Sequence, residues 1–473
     1  MRKTPRKLLT FALAGTMMIS MTGITAFAAE DTNETIRAVA TENDATVEAG
    51  NVNVTSTRGE ETKAARGVIA NSRNENTATV TTKDVTAADE ESVYSEGVYA
   101  QAFNKATSTV TVDGDVTATS KGSDATGIAA QAYVDSSTTV NVKGDVTVEG
   151  EYADGIYAGA YSSASTEVTV DGNLTATATT TEEEERSNST AVFVDTASDS
   201  NVKVAVKGDL KTNNGAGIAI QTYKEREEDS YGTADIVVGG VLSAKDIAVN
   251  FYNPEAAKNT SLTVWKVDLS KEGNIAKCHI DTYNEDFSEK LSSEDLDMTD
   301  FEKTIRYIIK LEQPTEGGIL SVNGTESYAG YDTAKEGETV LLKVNVKDGY
   351  RLVAAYNGKD QKLALKQDAS GNYYIVVPKG GGVYLSAVLE KIEDTTSDNA
   401  DKGTIEKTNQ AEKKTTVKQA SAKKASAEKA NDGLTKVTAP QTGDAGQAAW
   451  VIVLAASLAG LVVVRRNPGR KTI

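Results

Sequence analysis

The chain of 473 residues contains 39% hydrophobic and 6% aromatic residues, too few for several well-filled globular cores. Its formal net charge of −18 repels phosphate backbones, so we expect no binding to nucleic acid. The single cysteine, Cys278, cannot form an intramolecular disulfide or a thiolate metal site. The single histidine, His279, rules out a cluster of imidazole ligands and makes Ser-His catalysis improbable. We therefore expect no metal site, no cofactor and no catalytic residue.

Residues 1–28 are predicted to be a secretory signal peptide. Four basic residues precede a largely apolar stretch over residues 8–26, which closes with the small-residue pattern Ala26-Phe27-Ala28. Polar residues and glycines dilute this stretch, so a retained membrane anchor is the weaker alternative. Cleavage after Ala28 would place the mature protein outside the cell.

Three elements stand in order over residues 439–473. A pentapeptide at residues 439–443 comes first, an uncharged apolar run over residues 448–464 follows, and a basic tail ends the chain. As a helix at about 1.5 Å per residue, the apolar run would reach roughly 25 Å, most of a hydrocarbon core. We predict a transmembrane segment whose basic tail stays in the cytoplasm.

This arrangement resembles the sorting signal of Gram-positive surface proteins, in which a Leu-Pro-x-Thr-Gly pentapeptide is cut between Thr and Gly and joined to peptidoglycan. Pro440, Thr442 and Gly443 match that pentapeptide, and Ala439 stands where the family has Leu. The resemblance implies that a sortase and peptidoglycan are partners and that Thr442 is the linkage residue. It also implies a cell-wall location on the outer surface of a Gram-positive bacterium.

Residues 29–300 contain an internal repeat. One pattern is an alternating run that ends in a Gly-Asx turn, with copies at residues 110–116, 140–146, 168–174 and 204–210. The other is a small-residue strand opened by glycine, with copies at residues 97–103, 127–133, 155–161 and 217–223. A unit of about thirty residues holds only two or three strands and cannot bury a core alone. The units are therefore predicted to stack into a parallel β-helix.

The small-residue strands alternate in the way this fold requires. Ile128, Ala130 and Ala132 point to one side, so that side is predicted to face a shared interior. An array of small β-sandwiches is the alternative, but it would need roughly 80–100 residues per unit. Our fold prediction is all-β, a solenoid of about seven coils at about 4.8 Å each. Its test is the superposition of Gly97, Gly127 and Gly155.

The Gly-Asx turn is predicted to shape the corner between two sheets. We expect glycine to adopt a positive φ there and the Asx side chain to cap backbone N–H groups. A calcium ladder is the alternative, but alternating Asp and Lys at the preceding position would neutralise the column. The predicted column contains Asp115, Asp145, Asn173 and Asp209, preceded by Asp113, Lys143, Asp171 and Lys207.

An aromatic stripe beside an amide stripe is predicted on the outward side of the small-residue strands. Ring faces pack on sugar C–H surfaces and amides bond hydroxyl groups, so these stripes suit a glycan chain. The alternative is that like residues stack into purely structural ladders. The predicted ligand-facing residues are Gln101, Phe103, Gln131, Tyr133, Tyr161, Gln221, Tyr223 and Tyr252, with Asn71 and Asn250 aligned on the amides and Ala197 interrupting the aromatic positions.

Two further features are interpreted as structural. Cys278 and His279 are neighbours on a predicted strand, so they point to opposite faces and cannot act as a nucleophile and its base. The charged runs at residues 182–185 and 224–229 are interpreted as solvated loops, with cation or partner binding as the alternative.

Residues 301–392 are predicted to form a compact β module of short strands and Gly-containing turns. They resemble the bacterial repeat domain related to divergent internalin-type B repeats, through Gly-Gly-Ile-Leu-Ser at 317–321, Asp-Gly-Tyr at 348–350 and Val-Pro-Lys-Gly-Gly at 377–381. The resemblance implies a spacer without catalytic residues. The acidic, helix-tolerant residues 291–301 are predicted to cap the solenoid, and residues 393–438 to form a disordered linker through the wall.

The favoured hypothesis is a non-catalytic surface-display protein, an adhesin whose solenoid face binds host or neighbour glycans or proteins. The alternative is a polysaccharide lyase or glycoside hydrolase of the parallel β-helix type. Such a site needs a carboxylate pair about 5–9 Å apart, or an acidic calcium site with a basic proton acceptor. Uniform repeats with short arcs favour an extended surface over a single cleft, so we predict no enzyme activity.

Overall fold

The computed structural model describes residues 24–28, 31–56, 65–90, 94–180, 189–213, 215–283, 290–358 and 363–393. The predicted linker, sorting signal and transmembrane segment lie outside these ranges, as does most of the signal peptide. No helix within the ranges has the length and apolar character needed to cross a membrane. The described residues up to Ile392 form one compact unit.

The first part of this unit is a parallel β-solenoid of about seven turns, which confirms the all-β, solenoid part of the predicted fold. Each rung contributes strands to three faces, and strands of successive rungs pair in parallel with like residues in register. Burial alternates along each strand because successive side chains point to opposite sides of the sheet. Val110, Val140 and Val168 show the result, since they are paired in successive rungs and fully buried.

Face 1 contains β2 (Ile36–Ala40), β5 (Ala65–Arg73), β8 (Ser95–Phe103), β11 (Asp124–Tyr133), β14 (Tyr152–Tyr161), β17 (Val192–Ala197), β20 (Ala216–Tyr223), β22 (Ile247–Phe251) and β24 (Ala276–Tyr283), and closes with the antiparallel β25 (Lys290–Leu296). Face 2 contains β1 (Ile24–Ala28), β3 (Ala45–Ala49), β6 (Thr77–Thr82), β9 (Thr107–Val112), β12 (Ser137–Val142), β15 (Ser165–Val170), β18 (Asn201–Val206), β21 (Thr233–Ser243) and β23 (Thr260–Val267). Face 3 contains β4 (Val52–Ser56), β7 (Val85–Asp89), β10 (Val116–Ser120), β13 (Val146–Gly150), β16 (Leu174–Ala178) and β19 (Leu210–Thr212), after which β21 and β23 continue across the corner. The strand β1 lies in the segment predicted to be removed with the signal peptide.

The glycines that open the small-residue strands are superposed, as the solenoid requires. In β8, β11 and β14 the residues on either side of these glycines pair rung to rung. A Cβ added to Gly127 would lie 2.6 Å from the carbonyl oxygen of Gly155 and 2.8 Å from Val146 Cγ1. The column is therefore restricted to glycine by close approach of the next rung, and Ala191 and Ala248 continue it where the spacing allows a methyl group.

The Asx column forms the predicted capping ladder. Asp145 N donates to Asp115 Oδ1 at 2.8 Å, and Asn173 N donates to Asp145 Oδ1 at 2.7 Å. The same contact joins Asp115 N to Asp84 Oδ1 and Asp209 N to Asn173 Oδ1, both at 2.9 Å. Each carboxylate or amide oxygen thus satisfies one backbone donor of the following rung.

The aspartates and lysines that alternate beside the Asx column form ion pairs between successive rungs. Lys143 Nζ lies 2.5 Å from Asp113 Oδ1, and Lys207 Nζ lies 2.8 Å from Asp171 Oδ1. Each lysine therefore neutralises the aspartate of the preceding rung. Within the described ranges, no three His, Cys, Asp or Glu side chains come together in a way that would hold a metal ion.

The prediction of a positive φ at the Gly-Asx corner is wrong. Gly114, Gly144, Gly172 and Gly208 do not have positive φ values. Glycine is required at Gly144 because an added Cβ would stand 2.7 Å from the carbonyl oxygen of Gly114 in the preceding rung. Positive φ values occur instead at the corner between faces 1 and 2, at the non-glycine pairs 74–75, 104–105, 134–135, 162–163 and 198–199.

The C-terminal part of the unit is built from short strands in three groups. Face 2 is extended by β26 (Arg306–Ile308), β29 (Glu326–Tyr328) and β30 (Tyr331–Ala334). One four-stranded sheet contains β27 (Lys310–Glu312), β32 (Tyr350–Asn357), β33 (Leu363–Ala364) and β36 (Tyr384–Lys391), and the other contains β28 (Gly318–Asn323), β31 (Thr339–Val346), β34 (Lys366–Gln367) and β35 (Tyr373–Val376). The helices are α1 (Pro254–Lys258) and α2 (Thr299–Glu302).

This β module is docked on the last rung of the solenoid. Trp265 Nε1 in β23 donates to the carbonyl of Val383 at 3.0 Å, and Val267 N donates to the carbonyl of Gly380 at 2.8 Å. Lys379 also pairs with the buried Glu302 of α2 at 2.8 Å. The segment predicted as a spacer thus covers the C-terminal end of the solenoid.

The acidic segment before the module is mostly a strand. Its residues form β25, which pairs antiparallel with β24, and only α2 is helical. The reason is that β24 ends face 1 with a free edge, and an antiparallel strand satisfies that edge whatever the local helix propensity.

Candidate ligand-binding face

The outward side of face 1 carries three columns of side chains, defined by the strand pairing. The central column contains Asn71, Gln101, Gln131, Gly159, Asp195 and Gln221. The first flanking column contains Arg73, Phe103, Tyr133, Tyr161, Ala197 and Tyr223. The second flanking column contains Ile69, Tyr99, Ala129, Tyr157, Phe193, Ala219 and Asn250.

The structure aligns most predicted stripe residues but places Tyr252 and Asn250 in other columns. Tyr252 was expected beside Tyr223, but β22 is paired two residues further along, with Phe251 on Ile220. Tyr252 therefore follows the central column after Gln221, and Asn250 falls in the second flanking column. The physical reason is burial, since this register places the Phe251 ring in the interior, where it is fully buried.

The rings of the first flanking column stack mainly on one another. Tyr133 and Tyr161 have centroids 4.8 Å apart and planes 17° apart, so their faces are in mutual contact. Phe103 is tilted against Tyr133 at 6.0 Å. Tyr161 and Tyr223 lean together to 6.4 Å across the rung of Ala197. Stacked rings expose edges and hydroxyl groups, so this column favours polar contact over stacking of a sugar on ring faces.

The amides beside these rings are linked to them. Gln101 Nε2 donates to Gln131 Oε1 at 3.3 Å, and the Tyr133 hydroxyl donates to the same oxygen at 3.2 Å. Both amides are half-buried. They present a short polar track at the middle of face 1.

A tyrosine–aspartate cluster interrupts the amide track. The Tyr161 hydroxyl donates to Asp195 Oδ2 at 2.9 Å, and the Tyr157 hydroxyl lies 2.9 Å from the Tyr161 hydroxyl. Gly159 makes this possible, since a Cβ there would meet the Tyr161 hydroxyl at 2.9 Å. Asp195 Oδ1 is buried, and no described residue hydrogen-bonds to it.

The cluster shifts the protonation of its members. Burial raises the pKa of the Asp195 carboxyl to about 6, against the opposing effect of the nearby Tyr161 and Tyr157 hydroxyls. Burial, followed by the Asp195 charge, raises the pKa of Tyr157 and Tyr161 well above the usual value. The tyrosine hydroxyls therefore stay protonated and remain hydrogen-bond donors at physiological pH, while the Asp195 carboxyl has its pKa at about 6.

A second aromatic cluster with a carboxylate lies nearer the N-terminal end of face 1. Arg66 Nε donates to Glu96 Oε2 at 2.5 Å, and the Arg66 guanidinium lies 5.2 Å from the Tyr99 ring centroid and 5.4 Å from that of Tyr94. Burial raises the pKa of Glu96, and the Arg66 charge partly offsets this. Here the carboxylate among the rings has its own cation.

The structure also shows a hydrogen-bonded set that the sequence did not reveal. His279 Nδ1 lies 2.6 Å from Asp295 Oδ1, and His279 Nε2 lies 3.0 Å from Ser293 Oγ. The pairing of β24 with β25 brings the three together, and that pairing could not be predicted from spacing. Cys278 points to the other side and is buried, as expected. Because Asp295 is 77% exposed, water competes for these bonds, and the set mainly fastens the hairpin.

The remaining predicted sites can be placed as follows. Pro440, Thr442 and Gly443 lie outside the described residues, as does the charged run at 182–185. The run at 224–229 is a turn held to the corner by Ser162 Oγ, which donates to Glu225 Oε2 at 2.5 Å. Comparison with protein-family models, curated proteins and solved structures gave no match to this chain. Function is therefore inferred from the geometry of this chain alone.

Proposed function

We propose that this protein is a non-catalytic adhesin, secreted through its signal peptide and joined to peptidoglycan by a sortase at Thr442. The observation that carries the proposal is the outward side of face 1, where half-buried aromatic and amide side chains repeat in register over successive rungs. Such a surface can follow an extended ligand along the solenoid, and it suits a glycan whose hydroxyls meet amides and tyrosine hydroxyls.

The anchoring half of the proposal follows from the order of pentapeptide, apolar run and basic tail. Expressed in a Gram-positive host, the wild-type chain is expected in the wall fraction and to be solubilised only by a muramidase. Thr442→Ala removes the residue that would form the bond, so that variant should move to the membrane and medium fractions. Gln441→Ala is the matched control. Equal muramidase dependence of Thr442→Ala and wild type would contradict sortase anchoring.

The adhesive half is tested by a glycan-array screen of the mature chain, residues 29–442. The wild type is expected to bind at least one neutral or basic glycan. The double variant Gln101→Ala/Gln131→Ala should weaken that binding about tenfold, the equivalent of roughly 1.4 kcal/mol.

Thr109→Ala/Thr139→Ala is the matched control for the screen, since these two residues are also paired in adjacent rungs and half-buried, but on face 2. It should bind like the wild type. An array without any bound glycan, or equal loss in both double variants, would exclude face 1 as a glycan-binding surface.

A further inference from the structure

We propose that the tyrosine–aspartate cluster of face 1 binds an ammonium group at Asp195, and that the ligand is an amino sugar with a free amine. This inference rests on the proposed function, because it names the ligand class of the same face. It is independent of the wall anchor.

The first support is the ring of aromatic side chains around Asp195. Tyr157 and Tyr161 lie in the preceding rung, Phe193 lies in the same rung and Tyr223 lies in the next one. Tyr157 and Phe193 are stacked at 5.5 Å, and Phe193 meets Tyr252 edge to face at 5.8 Å. Rings grouped about a carboxylate exclude water from it, and the lower local dielectric strengthens its attraction for a cation.

The second support is the small residues between these rings. Gly159 precedes Asp195 in the central column, while Ala197 and Ala219 flank it in the neighbouring columns. In the rungs of β8 and β11 the corresponding positions hold Gln101, Tyr133 and Tyr99, and Ala129 is the one small residue among them. The cluster is therefore the part of the face where aromatic walls surround small side chains and a single acid.

The third support is the unpaired oxygen of Asp195. Tyr161 satisfies Oδ2, but Oδ1 is buried without a partner among the described residues. Burying a carboxylate without a hydrogen-bond partner is unfavourable in free energy, and a charged donor offsets more of this penalty than a neutral donor does. An ammonium group supplies both the charge and an N–H donor, whereas a quaternary ammonium has no N–H to donate.

Face 1 contains a similar arrangement in which the carboxylate is already paired with a cation of the chain. Glu96 stands close to Tyr94 and Tyr99, and the guanidinium of Arg66 supplies its cation. At Asp195 the rings and the carboxylate recur, but among the described residues no cation lies within bonding distance of Oδ1. We infer that the ligand supplies the cation there.

An amino sugar fits the surroundings better than an isolated amine. Gln221 follows Asp195 in the central column, so a saccharide with its amine at Asp195 would have an amide within reach of a ring hydroxyl. The loop that carries Glu225 and Asp229 packs on the adjacent corner and adds negative charge beside the cluster. Both features favour a basic saccharide and disfavour an acidic one.

The test compares two oligosaccharides that differ in whether each nitrogen is a free amine or an uncharged acetamide. Isothermal titration of the mature chain at pH 7.5 with a glucosamine tetramer and an N-acetylglucosamine tetramer should show at least about tenfold tighter binding of the free amine. Asp195→Asn should remove this preference. Asp135→Asn, an exposed acid at the neighbouring corner, should retain it.

Tyr252→Ala is a second variant that should fold normally, because the Tyr252 side chain is 39% exposed and lies outside the core. Its loss removes one aromatic ring beside the site. It should weaken glucosamine binding severalfold while unfolding like the wild type. Equal affinity for both tetramers would overturn the ammonium site and leave the glycan-binding proposal standing. Absence of binding to either tetramer, while the array shows other ligands, would also overturn it.

Discussion

At the scale of single residues, the Asp195 carboxyl makes the stability of the folded chain depend on pH. Its pKa rises from 3.8 to about 6 on folding because the carboxyl is buried. The folded state therefore binds the proton more tightly than the unfolded state. The stabilisation is complete below about pH 4 and is lost as the pH rises through 6, a change of about 3 kcal/mol at most.

Asp195→Asn should flatten this part of the pH profile. The amide oxygen can still accept from Tyr161, and the side chain no longer ionises. We expect thermal unfolding of the wild type to shift to lower temperature between pH 4 and pH 7 relative to the variant. Asp135→Asn, at an exposed position, should follow the wild type. Parallel profiles for all three proteins would show that Asp195 titrates normally.

At the scale of the elements, the corner between faces 1 and 2 can be improved. Val134 has a φ of +52°, a conformation that a β-branched residue adopts with strain. The two preceding rungs have asparagine there, and Asn104 Nδ2 donates to Asn74 Oδ1 at 2.9 Å. Val134→Asn should stabilise the solenoid by about 1 kcal/mol, because asparagine tolerates this φ and extends the amide ladder.

Chemical denaturation of the mature chain measures this effect. Val346→Asn is the matched control, since Val346 has 39% exposure against 37% for Val134 but lies in the strand β31. It should be neutral or destabilising, because valine favours a strand. A Val134→Asn protein no more stable than the wild type would indicate that the corner carries no strain.

The same corners show how far the sequence could predict the fold. The period and the alternation of Ile128 and its neighbours predict the rungs, because stacking is the only way for such short units to bury an interior. The Gly-Asx pair predicts the capping oxygen but not the φ of Gly144, because glycine serves equally for an unusual φ and for close approach. Tyr252 was placed by extending the repeat beyond residue 223, whereas the register there is set by burial of Phe251.

The candidate site was predictable only in part for a similar reason. The stripe of Tyr133 and Tyr161 follows from the repeat. The cluster at Asp195 does not, because it arises where the repeat is broken by Gly159 and by an insertion before β17. Departures from a repeat are visible in the sequence, but their consequences depend on which side chains the next rung brings to them.

At the scale of the whole molecule, the solenoid and the β module are expected to unfold together. The contact is made by the backbone of β23 and by the Trp265 ring, which the Lys310 ammonium covers at 4.2 Å from the centroid. Trp265→Ala removes this ring and its hydrogen bond to Val383, so it should destabilise the chain by about 3 kcal/mol.

Differential scanning calorimetry of the mature chain should show one transition for the wild type. Trp265→Ala should lower its temperature or split it in two as the module separates from the solenoid. Trp265→Phe, which keeps most of the ring but loses the N–H, should have a smaller effect. Two separate transitions in the wild type would contradict the coupling.

The parallel pairing of the rungs has a mechanical consequence. Hydrogen bonds between successive rungs run along the solenoid axis, so a load applied along that axis acts on them in series. Peeling away one rung of about thirty residues would lengthen the chain by roughly 100 Å. In the wall-anchored adhesin proposed above, such unravelling would dissipate work before the ligand was released, and refolding from the remaining rungs would restore the original length.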